Sequence, residues 1–198
     1  MAGQLRGFLR EFAQNPQQVG ALAPSSPRLT AEAVQPVPRS GDPVVVELGP
    51  GTGAFTAAIE HRLAGRGRHL AVELNPRLAA KIADRHSGVE VINADATDLS
   101  ELLKARDITQ VDVIVSGLPW ASFPESLQTG LLDAVVGTLC PGGAFTTYAY
   151  VHALRLPPAR RFRANLKRAF EEVVIGRTIW RNLPPALVYH ARRPRTAD

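Results

Sequence analysis

The sequence predicts a doubly wound α/β fold, a mostly parallel sheet of seven strands with helices on both faces and an antiparallel strand at one edge. Three observations carry this. Short β-branched runs alternate with helical patterns between residues 44 and 170, an order that calls for parallel strands joined by right-handed crossovers. The first run leads through Glu47-Leu48 into the turn Gly49-Pro50-Gly51-Thr52-Gly53 and then into a helix, the junction at which open sheets bind ligands. The last two runs, 172–179 and 186–191, flank a short turn at Asn182-Leu183-Pro184-Pro185. That is too short for a crossover, so these strands pair antiparallel.

Taken in order, residues 2–14 place Leu5, Phe8, Leu9 and Phe12 on one helical face, with Arg6, Arg10 and Glu11 elsewhere. Asn15-Pro16 ends this helix. Such a stripe packs on its own domain or lies in a bilayer interface, and both readings stand. Residues 19–30 are small and rich in Pro and Ser, ahead of a short helix at 31–35, and 36–43 (PVPRSGDP) reads as a linker. Beyond it come strand 44–48, helix 54–64, strand 69–74, helix 76–85, strand 89–94, helix 99–105 and strand 111–116. A helix within 124–139, strand 143–150 and a basic helix at 157–170 precede the final pair.

The bulk numbers bound the function. A chain of 198 residues with 45% apolar and 21% charged residues is one domain with a substantial core. No window approaches about 20 uninterrupted apolar residues, as a membrane span requires, and the N-terminus lacks the apolar segment of a secretory signal. The single cysteine, Cys140, cannot form an internal disulfide and excludes cysteine-rich zinc sites. It fits a cytoplasmic location. Residues 155–198 carry 11 Lys and Arg against 3 Asp and Glu, whereas 1–154 carry 12 against 15. A basic end on a mildly acidic body suits an anionic partner, lipid or nucleic acid, or is a solvated basic helix.

The glycine turn decides the ligand class. Gly49-x-Gly51-x-x-Ala54 also fits a dinucleotide fingerprint, which alone is weak. Glu47, just ahead of it, would repel a pyrophosphate and suits a cationic ligand. Glu73, 20 residues after Gly53, closes the second strand where an acid holds ribose hydroxyls. Asp95, in Asn93-Ala94-Asp95-Ala96, ends the third where an adenine amine could bind. Three acids at three strand ends describe a pocket for S-adenosyl-L-methionine, which has ribose, adenine, ammonium and sulfonium but no phosphate.

VVELGPGTG, AVELNP, INADATDL and the SGLP corner resemble, in order over residues 44–150, the motifs of class I S-adenosylmethionine-dependent methyltransferases of Rossmann-like fold. VGALAPSSPRL, ELGPGTGAFT, SGLPWASFP, LCPGGAF and RNLPPALVY, spanning about residues 19–193, are similar to the soluble bacterial phospholipid N-methyltransferases. Those enzymes methylate phosphatidylethanolamine and share ancestry with rRNA adenine dimethyltransferases. The resemblance implies a cofactor set of Glu47, Gly49, Gly51, Gly53, Glu73, Leu74, Asp95, Ala96 and Ser116. It implies a phospholipid amine as acceptor, with a small-molecule amine as the alternative. It also divides the chain into an N-terminal helical segment and lid at 1–35 and a methyltransferase domain at 36–198. The location it suggests is the cytoplasm, with peripheral contact at the anionic inner face of the membrane.

Adenine-methylating relatives end the fourth strand in an Asn/Asp-Pro-Pro-Tyr or Asn-Leu-Pro-Tyr corner, whose amide holds the base. Here Gly117-Leu118-Pro119-Trp120 keeps the proline and the aromatic but loses the amide, which argues against a nucleic-acid acceptor. So does the short stretch after the sheet, which leaves no room for the helical second domain of the rRNA enzymes. Gly117, Pro119, Trp120 and Tyr150 are the expected acceptor-site residues. The Trp120 face could attract a developing ammonium with about 0.5–2 kcal/mol, or Trp120 could be a core or lid residue. Alternation puts Tyr148, Tyr150 and His152 on one face, and His152 reads equally as a weak base or a surface histidine. A non-catalytic module that binds S-adenosylmethionine or membranes is the rival from another class.

Overall fold

A computed structural model describes residues 25–195. The helical stripe expected at 2–14 and the stretch up to residue 24 lie outside the described residues. Helix α1 (Pro27–Ala33) begins four residues earlier than the pattern suggests, because Ser26 caps it by accepting from the Leu29 amide and Pro27 supplies the first turn. It leads to β1 (Val44–Leu48), α2 (Ala54–Leu63), β2 (Arg68–Glu73), α3 (Pro76–Arg85), β3 (Glu90–Asn93), α4 (Leu99–Lys104) and β4 (Val111–Ser116). Then follow α5 (Glu125–Thr138), β5 (Leu139–Tyr150), α6 (Pro157–Ala169), β6 (Phe170–Ile175) and β7 (Ala186–Pro194).

The seven strands form one sheet in the order β3-β2-β1-β4-β5-β7-β6. The first five are parallel, and β7 runs antiparallel between β5 and β6. The reversal of strand order between β1 and β4 puts a crevice at the carboxyl ends of these strands. On one face of the sheet, Val46, Leu48, Leu70, Val72 and Ile114 share a core with Leu99 of α4, Leu127 and Leu131 of α5 and Phe162 of α6. The opposite face buries Val45, Val113, Val115 and Val188 with Leu29 and Ala33 of α1 and Phe55 and Ile59 of α2.

The stretch read as a linker is fastened down. Val37 is fully buried, and the Arg62 guanidinium of α2 donates to the carbonyls of Gln35 and Val37. Thr146 of β5 donates to the Ala33 carbonyl at 2.8 Å, so α1 is part of the same packed unit. Among the described residues, no helix is long and apolar enough to cross a membrane.

Two backbone hydrogen bonds fix the loops that border the crevice. Gly49 donates to Val72 O at 2.9 Å and Gly117 to Leu48 O at 2.8 Å, lacing the loops after β1 and β4 to neighbouring strands. A Cβ at Gly117 would stand 2.5 Å from Gly49 O, a backbone atom with no freedom to swing aside. The amide missing from this corner is therefore also a side chain for which the backbone leaves no room. Gly117→Ala is expected to cost about 1–3 kcal/mol, as for other overpacked sites, and to weaken cofactor binding. Urea unfolding and titration calorimetry would check both effects, and an unchanged midpoint would contradict the close approach.

Candidate active site

The crevice gathers the acids that the sequence places at the strand ends, each in a different state of engagement. Glu47 is fully buried. Its Oε2 accepts from the Thr56 hydroxyl of α2 at 2.8 Å and lies 3.4 Å from His69 Nε2, while Oε1 is buried with no hydrogen-bond partner among the described residues. Glu47 is therefore enclosed between β1, β2 and α2, and it presents no exposed carboxylate oxygen to line the crevice directly.

Glu73 turns toward the crevice. Its Oε2 accepts from Gly51 N at 3.1 Å and its Oε1 from Asn75 N at 2.9 Å. Burial pushes its carboxyl above the usual glutamate range. The amides of Asn75 and Gly51 oppose the shift, and Glu47 adds to it. Asp95 caps a single 3-10 turn, Ala96–Asp98. Both of its bonds with Thr97, from the amide at 2.9 Å and the hydroxyl at 2.8 Å, fall on Oδ1. Ala96 is buried and Leu74 half-buried against the core beside these acids. A Cβ at Gly51 would meet nothing within 4 Å, so the loop faces open space there. Helix α2 opens behind this loop at Gly53 with no side-chain cap, leaving backbone donors for a ligand.

The corner after β4 is built inward. Trp120 is only 2% exposed. Its ring stacks on Phe162 of α6 at 4.6 Å and meets the edge of Phe145 at 5.7 Å. The indole N–H donates to Ser116 Oγ at 3.0 Å, and the Leu118 amide donates to the same oxygen at 3.2 Å. Trp120 thus belongs to the core, the second of its two readings: Phe162 covers the face that was expected to meet a substrate cation. Ser116, expected among the cofactor ligands, is fully buried and holds the corner.

Gln128 of α5 was not singled out by sequence reasoning. Its buried amide donates to the Trp120 carbonyl at 2.7 Å and to Pro158 O at 3.1 Å, fastening the corner to α6. The available signal was a glutamine within the apolar stripe of Leu127, Leu131, Leu132 and Val135.

At the end of β5, Tyr148 and Tyr150 share one face, as alternation predicts, whereas His152 comes against Tyr150 from a 3-10 turn, Val151–Ala153, that follows the strand. Tyr148 meets Tyr150 edge-on at 5.3 Å, and His152 stacks on Tyr150 at 5.6 Å. Burial drives the Tyr148 hydroxyl far above the ordinary phenol range, and Tyr150 reinforces the shift. Burial also raises Tyr150, partly offset by its hydrogen bond with Tyr148. Both are therefore neutral hydroxyls at neutral pH and not phenolate bases.

Comparison with known proteins agrees with this crevice. Residues 45–143 match the family described as "Methyltransferase domain". The chain is 36% identical over 188 residues to an ornithine lipid N-methyltransferase of Singulisphaera acidiphila, covering 93% of this chain and 94% of that protein. A probable ribosomal RNA small subunit methyltransferase A of Thermococcus onnurineus is 36% identical over 83 residues, 41% of this chain and 27% of its own length. Among solved structures, the N-methyltransferase NodS of Bradyrhizobium japonicum shares the fold with a TM-score of 0.63 at 17% identity, covering 85% of this chain and 86% of that one.

Two outcomes follow from the geometry. Trp120→Ala should destabilise the fold by about 3–5 kcal/mol, the range for deleting a buried aromatic, whereas Trp120→Phe should cost far less; denaturant titration of both separates a core role from a surface one. In the ribose-binding role expected of it, Glu73 would have to be ionised to accept from two hydroxyls. Its raised pKa means that cofactor affinity falls on acidification from a higher pH than an exposed glutamate would give. Calorimetry from about pH 8 down to about pH 4, across the carboxylate region, should show that loss in the wild type, with Glu73→Gln weak throughout.

Proposed function

The chain belongs to the methyltransferase-domain family, an S-adenosylmethionine-dependent class, and from that premise we propose that it N-methylates the primary amine of a membrane lipid head group. The observation that carries this reading is the 36% identity to an ornithine lipid N-methyltransferase along 94% of that protein. It makes an ornithine-type aminolipid the first candidate acceptor, ahead of the phosphatidylethanolamine expected from sequence, with small-molecule amines behind both.

The residues present fit the cofactor. Gly51 turns with nothing within 4 Å of where its Cβ would stand, Glu47 Oε1 is buried with no hydrogen-bond partner among the described residues, and Glu73 Oε2 accepts from the Gly51 amide at 3.1 Å, which ties the second acid to the loop. In this reading Gly49, Gly51 and Gly53 shape the loop, Glu73 accepts from the ribose and Asp95 from the adenine amine. Leu74 and Ala96 provide apolar flanks. Bound S-adenosylmethionine supplies a sulfonium methyl for in-line displacement, and the protein's contribution is chiefly to position the two reactants.

A primary ammonium has no lone pair and must first lose a proton, which passes to solvent water as the amine enters the site. A site formed by the Gly117-Leu118-Pro119 backbone and the Tyr148–Tyr150 pair desolvates the amine and lowers its pKa. Tyr150, held neutral by burial, orients the amine through its hydroxyl. Trp120 contributes by fixing the corner from within the core.

The test is a turnover assay with methyl-labelled donor and three acceptors in parallel: ornithine lipid and phosphatidylethanolamine in mixed micelles, and ribosomal RNA. Label is expected in aminolipid, ornithine lipid foremost, and label in RNA alone would overturn the reading. Tyr150→Phe should lower kcat/KM for the lipid about 10- to 100-fold, as for a lost hydrogen bond to a charged group, with cofactor affinity intact.

A further inference from the structure

The β6–β7 connection, residues 176–185 (GRTIWRNLPP), reverses the usual burial of polar and apolar side chains. Asn182 is buried while Trp180 is 72% and Leu183 70% exposed. This is not a frayed loop. Ile179 bridges to Ala186, and Asn182 Oδ1 accepts from Ser26 N at 2.9 Å while its Nδ2 donates to Pro184 O at 2.7 Å. The Val151 amide donates to Pro185 O at 2.9 Å. A segment tied at its polar residue to α1 and to the end of β5 holds an indole and an isobutyl group in water at a solvation cost.

The position of this loop gives it a purpose. Ala186 is the register partner of Tyr150, so the loop emerges at the sheet edge that carries the acceptor site. The β5–α6 connection leaves from the same edge and adds Leu156, 49% exposed. Exposed arginines stand within both segments: Arg155, Arg177 and Arg181. The arginine salt bridges of this half of the molecule run from Arg161 to Glu125 and from Arg193 to Glu171 and Glu172, and none among the described residues engages those three. Residues 139–170 and 173–197 contain no Asp or Glu.

We propose that Trp180, Leu183 and Leu156, with Arg155, Arg177 and Arg181, form a rigid docking rim that seats the open edge of the sheet on an anionic lipid bilayer. The chemistry matches that partner. Indole and leucine side chains partition into the headgroup boundary, and unpaired arginines are attracted to anionic headgroups. The direction of docking rests on the lipid-acceptor reading: an aminolipid keeps its acyl chains in the membrane and offers its amine to the crevice bordered by this rim. The basic stripe Arg160, Arg163 and Lys167 along α6 lines an adjoining groove with Leu154, Ile175, Leu187 and Tyr189 and is not part of the rim.

The experiment measures binding of the full chain to vesicles of phosphatidylglycerol and phosphatidylcholine, by sedimentation and by tryptophan emission, without any methylation. The chain has two tryptophans, and Trp120 is already buried, so a blue shift on adding vesicles reports Trp180. Trp180→Ser/Leu183→Ser should lower partitioning roughly tenfold or more. Arg177→Ala and Arg181→Ala should each lower it roughly fivefold in a salt-sensitive manner. All of these are surface substitutions and should leave the unfolding midpoint unchanged. Failure of the wild type to bind vesicles, equal binding by the double variant, or sedimentation without an emission shift would each overturn the rim. So would its use in self-association, seen as a dimer abolished by Leu183→Ser with no vesicle binding. Vesicle binding through Trp180 together with methylation of no aminolipid would uphold the rim and overturn the acceptor reading instead.

Discussion

The site depends on one steric constraint, the contact between the loop after β1 and the corner after β4. Gly49 O occupies the space that a side chain at Gly117 would need, and a Cβ at Gly49 would come 2.8 Å from Leu118 Cδ2. Neither loop can move without disturbing the other, because each is also bonded to a neighbouring strand. The two loops bordering the crevice, proposed as its cofactor and acceptor sides, are thereby set at a fixed separation. For a transfer governed by the distance between donor and acceptor, this is where rigidity has most effect.

Rigidity is reinforced from behind by aromatic packing. Trp120 links three elements: its ring packs on α6 through Phe162, its edge contact reaches β5 through Phe145, and its indole N–H returns to Ser116 on β4. Gln128 adds a polar tie from α5 to the Trp120 carbonyl and to the start of α6. In the buried interior such a satisfied network specifies one arrangement of the corner, since each missing bond would leave a polar group unpaired. The aromatic residue that follows the proline therefore supports the acceptor floor without forming part of its surface.

The parallel strands were legible because Val, Ile and Leu runs buried on both faces leave no other reading, and the antiparallel pair because its connection is too short to cross over. The acids Glu47, Glu73 and Asp95 were legible as a set from their places at successive strand ends. Their individual states were not, since the Glu47–Thr56 bond and the burial of Glu73 arise from tertiary packing. The start of α1 was missed although Ser26-Pro27 is a cap followed by a first-turn proline. The extent of β5 was hidden by Pro141-Gly142-Gly143, which reads as a turn but lies inside a strand paired from Leu139 to Tyr150, with a register irregularity beside it. The two readings of Trp120 could be separated only by knowing that Phe162, 42 residues away in sequence, lies against its face.

Charge is distributed so that the two sides of the crevice favour different ligands. Beside the glycine loop two carboxyls, Glu47 and Glu73, are buried within a chain of net charge +5, and burial is the main cause of the raised Glu73 pKa, to which Glu47 adds. Toward the carboxyl end of β5 exposed arginines predominate, with Glu32 of α1 an acid beside Gly176 and His190. On the proposed reading the first region would draw a cationic sulfonium nucleoside and the second an anionic surface, and the amine to be methylated would lie between them, near neutral hydroxyls that neither repel an ammonium nor hold it tightly. Because a methylated amine keeps its positive charge, strong fixed acids at the acceptor position would retain the product. The Tyr148–Tyr150 pair offers orientation without that penalty, and this favours release after each transfer.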